Sequence, residues 1–207
     1  ALRALGAPPP APPDYPECLR DLLRRRVWRS TLGEVQRSLP SSAEKNTTTP
    51  VFVKPAEDAK LFSAIVEPHD QMLDFFVAEH GAQVPVWCSD VVAMGDEYRV
   101  YVVAGAVRAV CRYIHRGGSN DDDDRTRGLE MEAVTAAVET FVASDEGRTV
   151  GVGCALDFTL LPETGKTALI EVNDGVSLGR YEGLAAADYA ELLCRRWRSI
   201  VRGGGPP

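Results

Sequence analysis

Histidine is scarce in this 207-residue chain: His69, His80 and His115 are the three, and no two stand in an HxxxH spacing. That removes the usual helical metal-ligand pair, and no Ser-His-Asp or Cys-His arrangement can be read around them. The five cysteines, at positions 18, 88, 111, 154 and 194, never form CxxC. They read as reduced thiols of a cytoplasmic protein, several at apolar positions, rather than as a zinc site or a disulfide framework. No apolar run approaches the roughly 20 residues that a membrane helix needs. Nothing at the start reads as a secretion signal, so the sequon at Asn46 is taken as chance; the Ala-Leu-Arg opening without Met reads as a fragment or processed form. Phosphate-loop signatures are also incomplete. Gly165-Lys166-Thr167 follows Leu160 where the first glycine belongs, and Gly151-Val152-Gly153 lacks the third glycine of a dinucleotide fingerprint. The net charge of −7 argues against broad nucleic-acid binding.

What is present reads as an intermingled α+β chain without internal repeats. Residues 1–13 are Pro/Ala-rich and extended, and 15–39 carry a helical stripe of Leu19, Leu22, Leu23, Val27 and Trp28 against a solvated face at Arg24–Arg26. Residues 40–49 form a polar linker. Short strands follow at 51–55 and 61–66, a helix at 70–80 closed by Gly81, and a strand at 84–92. The stretch 117–128 is a polar loop whose four aspartates, Asp121–Asp124, precede a helix at 129–144. A last helix carries Tyr189, Leu192, Leu193 and Ile200.

Two hairpins carry the chemistry. Residues 97–114 alternate on both sides of Gly105, and a two-residue turn at Gly105-Ala106 would set Arg99 opposite Arg112. Val100, Val102, Ala104, Val107, Ala109 and Cys111 would then form the core face. Two facing arginines are unfavourable unless an anion lies between them; two solvated edge charges are the alternative. In the second hairpin a five-residue loop at 162–166 would set Asp157 opposite Glu171, with Asn173 further along the same face. Carboxylates beside an amide oxygen suit a hard cation such as magnesium. Arginines for anions and carboxylates for magnesium together point to a nucleoside triphosphate. Lys54, ending the apolar strand 51–55, could meet a phosphate, or could simply snorkel at the surface.

Taken in order, several segments resemble the ATP-grasp superfamily, nearest to the clade distinguished by two arginines and one lysine. They are Phe52-Val53-Lys54-Pro55 with Lys60-Leu61-Phe62, Trp87-Cys88-Ser89-Asp90-Val91-Val92, Glu97-Tyr98-Arg99, Cys111-Arg112-Tyr113, Ala155-Leu156-Asp157-Phe158, and Ile170-Glu171-Val172-Asn173-Asp174. Tyr15-Pro16 and Trp28–Glu34 resemble the approach segment of the same clade. The resemblance implies an α+β, two-lobed ATP-grasp fold with mainly antiparallel sheets and the nucleotide cleft between the lobes. Its divisions would be a lead segment at 1–48, a small lobe with hinge at 49–93 and a large lobe at 94–207.

The same resemblance implies that Lys54, assisted by Lys60, contacts the α/β phosphates. Trp87, Cys88, Ser89, Asp90 and Val91 would line adenine. Arg99 and Arg112 would address the terminal phosphate or an acyl phosphate. Asp157, Glu171 and Asn173 would hold Mg2+. A dedicated N-terminal domain, common in relatives, is absent or reduced to the first 48 residues, and loop 117–128 has no counterpart. The implied activity is ATP-dependent ligation of a small-molecule or peptide carboxylate to an amine, releasing ADP and phosphate. A kinase on the same fold, a non-catalytic nucleotide-binding module and a structural β-rich domain are the alternatives. No membrane or clear nucleic-acid partner is implied, and the oligomeric state stays open.

Overall fold

A computed structural model describes residues 7, 10–39, 49–57, 61–67, 71–116 and 128–203. The chain divides into two compact units, one of Arg25–Val92 and one of the residues up to Arg24 together with those from Ala93 onward.

The first unit is a four-stranded antiparallel sheet, ordered β1-β4-β2-β3, with two helices. Its elements are β1 (Val27–Thr31), α1 (Leu32–Ser38), β2 (Val51–Pro55), β3 (Ala64–Val66), α2 (Gln71–His80) and β4 (Pro85–Asp90). The helical reading of 15–39 gives way here. Residues Glu17–Leu23 are a 3-10 helix ended by Arg24 in the left-handed region (φ 53°), and Val27–Thr31 is a strand. The strand wins because Val27 to Thr31 pair along the whole of β4, from Ser89 to Pro85, a tertiary partner that local periodicity cannot register. The helix restarts at Thr31 through a capping box: the Glu34 N–H donates to the Thr31 hydroxyl and Glu34 accepts from the Thr31 N–H. Leu32, Val35, Val53, Val66, Leu73, Val86 and Cys88 form the core.

The second unit is built on the antiparallel sheet β6-β5-β7-β8. It comprises β5 (Glu97–Val103), β6 (Ala106–Ile114), α3 (Met131–Ala143), α4 (Asp145–Val150), β7 (Gly153–Leu161), β8 (Lys166–Asp174) and α5 (Ala186–Val201). In α3, Val134, Ala137, Val138 and Phe141 are buried, the stripe that its helical period predicts. The β5–β6 turn falls at Ala104-Gly105, one residue earlier than the sequence suggests, with φ of 52° and 78°. The N–H groups of Ala104 and Gly105 donate to the carbonyls of Val152 and Gly151, so the turn is fixed from outside the hairpin. Two irregularities then carry the register to Arg99↔Cys111 and Tyr98↔Arg112. The expected facing of Arg99 and Arg112 does not occur. Paired residues share a face and neighbours alternate, so the two arginines lie on opposite faces of the sheet. Cys111 and Ala109 move to the Arg99 side, where Cys111 enters the core with Tyr101, Val103, Ala155, Leu178, Leu184 and Leu192.

Lys60, the Asp121–Asp124 run and the sequon at Asn46 lie outside the described residues. No helix among the described residues is long and apolar enough to cross a membrane.

Ala104 holds a left-handed conformation that an alanine side chain disfavours, and it is exposed. Replacing it with Asn, which suits the first position of such a turn, should raise stability by roughly 0.5–1 kcal/mol. Urea denaturation of Ala104→Asn checks this; an unchanged or lower midpoint would contradict the turn as described.

Candidate nucleotide and metal site

One row of side chains crosses three strands of the second sheet. Arg99 on β5 pairs with Asp157 on β7, and Asp157 pairs with Glu171 on β8. The β7–β8 pairing reaches the expected Asp157–Glu171 partnership by an unexpected path. The loop holds four residues, 162–165, and an irregularity between Asp157 and Phe158 supplies the missing step. Alternation puts Glu97, Arg99 and Tyr101 on the same face as Ala155, Asp157 and Thr159.

Arg99 grips Asp157 with two parallel hydrogen bonds, Nε to Oδ1 at 2.8 Å and Nη2 to Oδ2 at 2.6 Å. Their side chains are 11% and 2% exposed. Asn173 Nδ2 donates to Asp157 Oδ2 at 3.0 Å. Tyr113 donates its hydroxyl to Glu97 at 3.0 Å, and Arg116 pairs with Glu97 at 2.8 Å. Above the guanidinium, Tyr113 and Tyr181 stack at 4.9 Å with ring planes 4° apart, and Arg99 lies 5.5 Å and 5.0 Å from their centroids. Tyr181 is held there because its N–H donates to the Tyr101 hydroxyl, which itself donates to the Gly179 carbonyl.

The electrostatics follow from burial. Burial pushes the Asp157 carboxyl above its ordinary range, the Arg99 hydrogen bonds pull it back, and the charges of Glu171 and Glu97 push it up again. Arg99 is pulled the other way: burial disfavours its charge, but the Asp157 hydrogen bond and charge hold the guanidinium firmly protonated. The Tyr113 hydroxyl is driven up by burial and then by Asp157 and Glu97, so it stays a donor.

Arg112 lies elsewhere, its Nη1 3.3 Å from Asp96 Oδ2 at the start of β5. Its buried Nε has no hydrogen-bond partner among the described residues. In the first unit, Lys54 is 5% exposed on β2 and paired with Trp87, so it is not a snorkelling surface lysine. Trp87, Cys88, Ser89 and Asp90 lie in β4, between β1 and β2, and Val91 is the first of the five beyond the ladder. The Trp87 ring carries Arg29 at 4.5 Å, and burial pushes the Cys88 thiol up to about 12. Asp90 Oδ2 accepts from the Arg26 N–H at 3.1 Å.

Sequence reasoning missed Glu97, Tyr113 and Tyr181 as neighbours of the row. Glu97-x-Arg99 carried a usable signal, two charges alternating onto one strand face. Tyr181 carried none, because it sits in an aperiodic stretch.

No group of three or more His, Cys, Asp or Glu stands ready for a metal among the described residues. Asp157, Glu171 and Asn173 offer two carboxylates and an amide. That hard-oxygen set, crowded enough to raise Asp157, suits a hard divalent cation. The unpartnered Arg112 Nε suits an oxyanion.

Two antiparallel sheets in separate compact units, one bearing this charged row, define an ATP-grasp domain. The chain belongs to the second family of the ATP-grasp clade named for two arginines and one lysine, and the model of that family matches residues 22–192. No curated protein matches the chain. Among solved structures it is similar to the ATP-grasp ligase PsnB complexed with minimal precursor, Mg and ADP, at 20% identity over 89% of this chain and 56% of that one, with a TM-score of 0.49. It is also similar to D-alanine–D-alanine ligase from Bacillus anthracis complexed with ATP, at 13% identity over 88% of this chain and 64% of that one, with a TM-score of 0.48. The chain therefore spans about half the length of the PsnB structures, 46% to 56%.

Removing one partner of a buried ion pair strands the other. Asp157→Ala should cost about 3–5 kcal/mol of stability. The apolar double variant Arg99→Met/Asp157→Leu should cost clearly less, as read by urea denaturation. Equal losses in both would mean that the pair contributes only packing.

Proposed function

We propose that the chain is the ATP-binding part of an ADP-forming ligase that joins a carboxylate to an amine through an acyl phosphate. The observation that carries this reading is the buried Arg99–Asp157–Asn173 cluster beside Glu171 and Glu97, in a chain of the ATP-grasp family.

In this reading Lys54, with Lys60, holds the α/β phosphates, and residues 87–91 meet adenine, with free backbone groups beginning at Val91. Asp157, Glu171 and Asn173 hold magnesium, which when bound would supply charge to offset that of the phosphates. Arg99 and Arg112 supply fixed positive charge to the terminal phosphate, Arg112 through its unpartnered Nε. Two hydrogen bonds, an aromatic stack and burial fix the Arg99 guanidinium before any ligand arrives, so little reorganisation accompanies charge development in the reaction. Catalysis is positioning and electrostatics, and no protein nucleophile takes part. The carboxylate and amine are small molecules or peptides. The free state of Cys18, Cys88, Cys111, Cys154 and Cys194 supports a reducing compartment, the cytoplasm.

Calorimetric titration of ATP with and without magnesium tests the reading. Magnesium-dependent binding that Glu171→Ala weakens is the expected result; ATP binding indifferent to magnesium and to this substitution would overturn it. Once acceptors are in hand, Arg99→Ala should lower turnover at least about 100-fold while changing ATP affinity far less. Arg112→Ala should act in the same sense but more weakly, since Arg112 stands on the other face of the sheet.

A further inference from the structure

We propose that the groove between the outer face of α5 and the Gly151-Val152 turn binds a small polyanion bearing two or more phosphate or carboxylate groups. The groove shares no residue with the Asp157 row, and the proposal does not depend on the ligase reading.

The cavity holds about 390 Å3 and is lined by Val152, Ala190, Glu191, Cys194, Arg195, Arg198, Ser199 and Arg202. That volume falls in the range of small-molecule sites, about 300–1,000 Å3. Its α5 residues recur at intervals of three and four, so one helix face forms a complete wall. Three of them are arginines. The single acid, Glu191, is already matched by Arg195 at 2.7 Å, and Arg198 and Arg202 have no ion-pair partner among the described residues. The result is an uncompensated positive groove on a chain of net charge −7. A helix carboxyl terminus favours arginine along its last turn, which accounts for cations at this end. It does not account for their lining a concavity together with a hydroxyl.

Both walls are fixed. Arg196, on the buried side of α5, pairs with Asp174 at 2.5 Å and donates to the Thr149 carbonyl at 3.0 Å, tying the helix to β8 and α4. A Cβ on Gly153 would stand 2.5 Å from the Leu192 carbonyl oxygen, so β7 begins in direct contact with the α5 backbone. Preorganised walls lower the cost of binding. Guanidinium forks match phosphate and carboxylate oxygens in paired hydrogen bonds, and the Ser199 hydroxyl adds a donor. Successive arginines are about 4.5 and 6 Å apart along the helix axis, a spacing that suits two anionic groups on one ligand. Val152, Ala190 and the Cys194 side chain would face its less polar body.

Cys194 makes the test direct, because it lies in the groove and is exposed, as is Cys18, whereas Cys88, Cys111 and Cys154 are buried. Alkylation of Cys194 by iodoacetamide is followed by mass spectrometry with Cys18 as internal reference. Pyrophosphate and citrate are compared with sodium chloride at equal ionic strength. At ten times its Kd, a bound polyanion should slow Cys194 alkylation about tenfold and leave Cys18 unchanged. Protection by pyrophosphate alone assigns phosphate, by citrate alone carboxylate, and by both the shared oxyanion chemistry. The exposed double variant Arg198→Gln/Arg202→Gln should abolish protection with its circular dichroism and thermal midpoint unchanged. Protection no greater than with chloride, equal slowing of both thiols, or protection surviving in the double variant would each overturn the site.

Discussion

The two-pronged grip of Arg99 on Asp157 is the interaction on which the second unit turns. Neither group could occupy its place alone, since a charge this deeply buried without a partner costs several kcal/mol. Their pairing crosses the central strand junction, orients both ends of the acidic row, and gives Tyr113 and Tyr181 a flat cation to lie over. It also leaves the balance of charge tilted, because one guanidinium stands among Asp157, Glu171 and Glu97, with Arg116 helping at the edge. A buried face with surplus negative charge and hard oxygen donors attracts a cation more strongly than any single residue on it would.

The aromatic cover over Arg99 is held in place from the far end of the chain. After β8 the backbone runs through Leu178, Gly179 and Tyr181 before reaching α5, and side chains along α5 and the sheet tie it down. Tyr189 donates to the Leu178 carbonyl at 2.7 Å, Trp197 to the Val176 carbonyl at 3.0 Å, and Arg196 closes on Asp174. Tyr101 holds Gly179 and Tyr181 from below. The amphipathic character of α5 thus serves two faces of one element. Leu192 packs into the core beneath the cover, while the arginines opposite remain in water.

How much of this could be read from residues alone differs by element. Alternation in 153–174 marked β7 and β8 and brought Asp157, Glu171 and Asn173 to one face, because burial on both sides of a strand leaves a strong period-two record. Helix α3 was equally plain. The β5–β6 register was not, since the turn position is set by carbonyls of Gly151 and Val152 nearly fifty residues away, and a shift of one residue reverses every side chain. Val27–Thr31 misled for a related reason: Trp28 and Val27 fit a helical stripe, but pairing with β4 decides the matter. Tyr181 and the α5 groove left no pattern, because loop conformation and concavity are properties of the fold rather than of local spacing.

The irregularity beside Asp157 uncouples the length of the 162–165 turn from the alignment of the charged row. On the turn side, Leu161 faces Lys166; beyond the irregularity, Asp157 faces Glu171, with Ile170 as the extra residue. Deleting Ile170 alone would bring Val172 into phase with Asp157, and inserting one residue in the turn would do the opposite damage. Made together, the two changes cancel. Homologous chains that differ here are therefore expected to differ in compensating pairs, a shorter turn with a bulge or a longer turn without one.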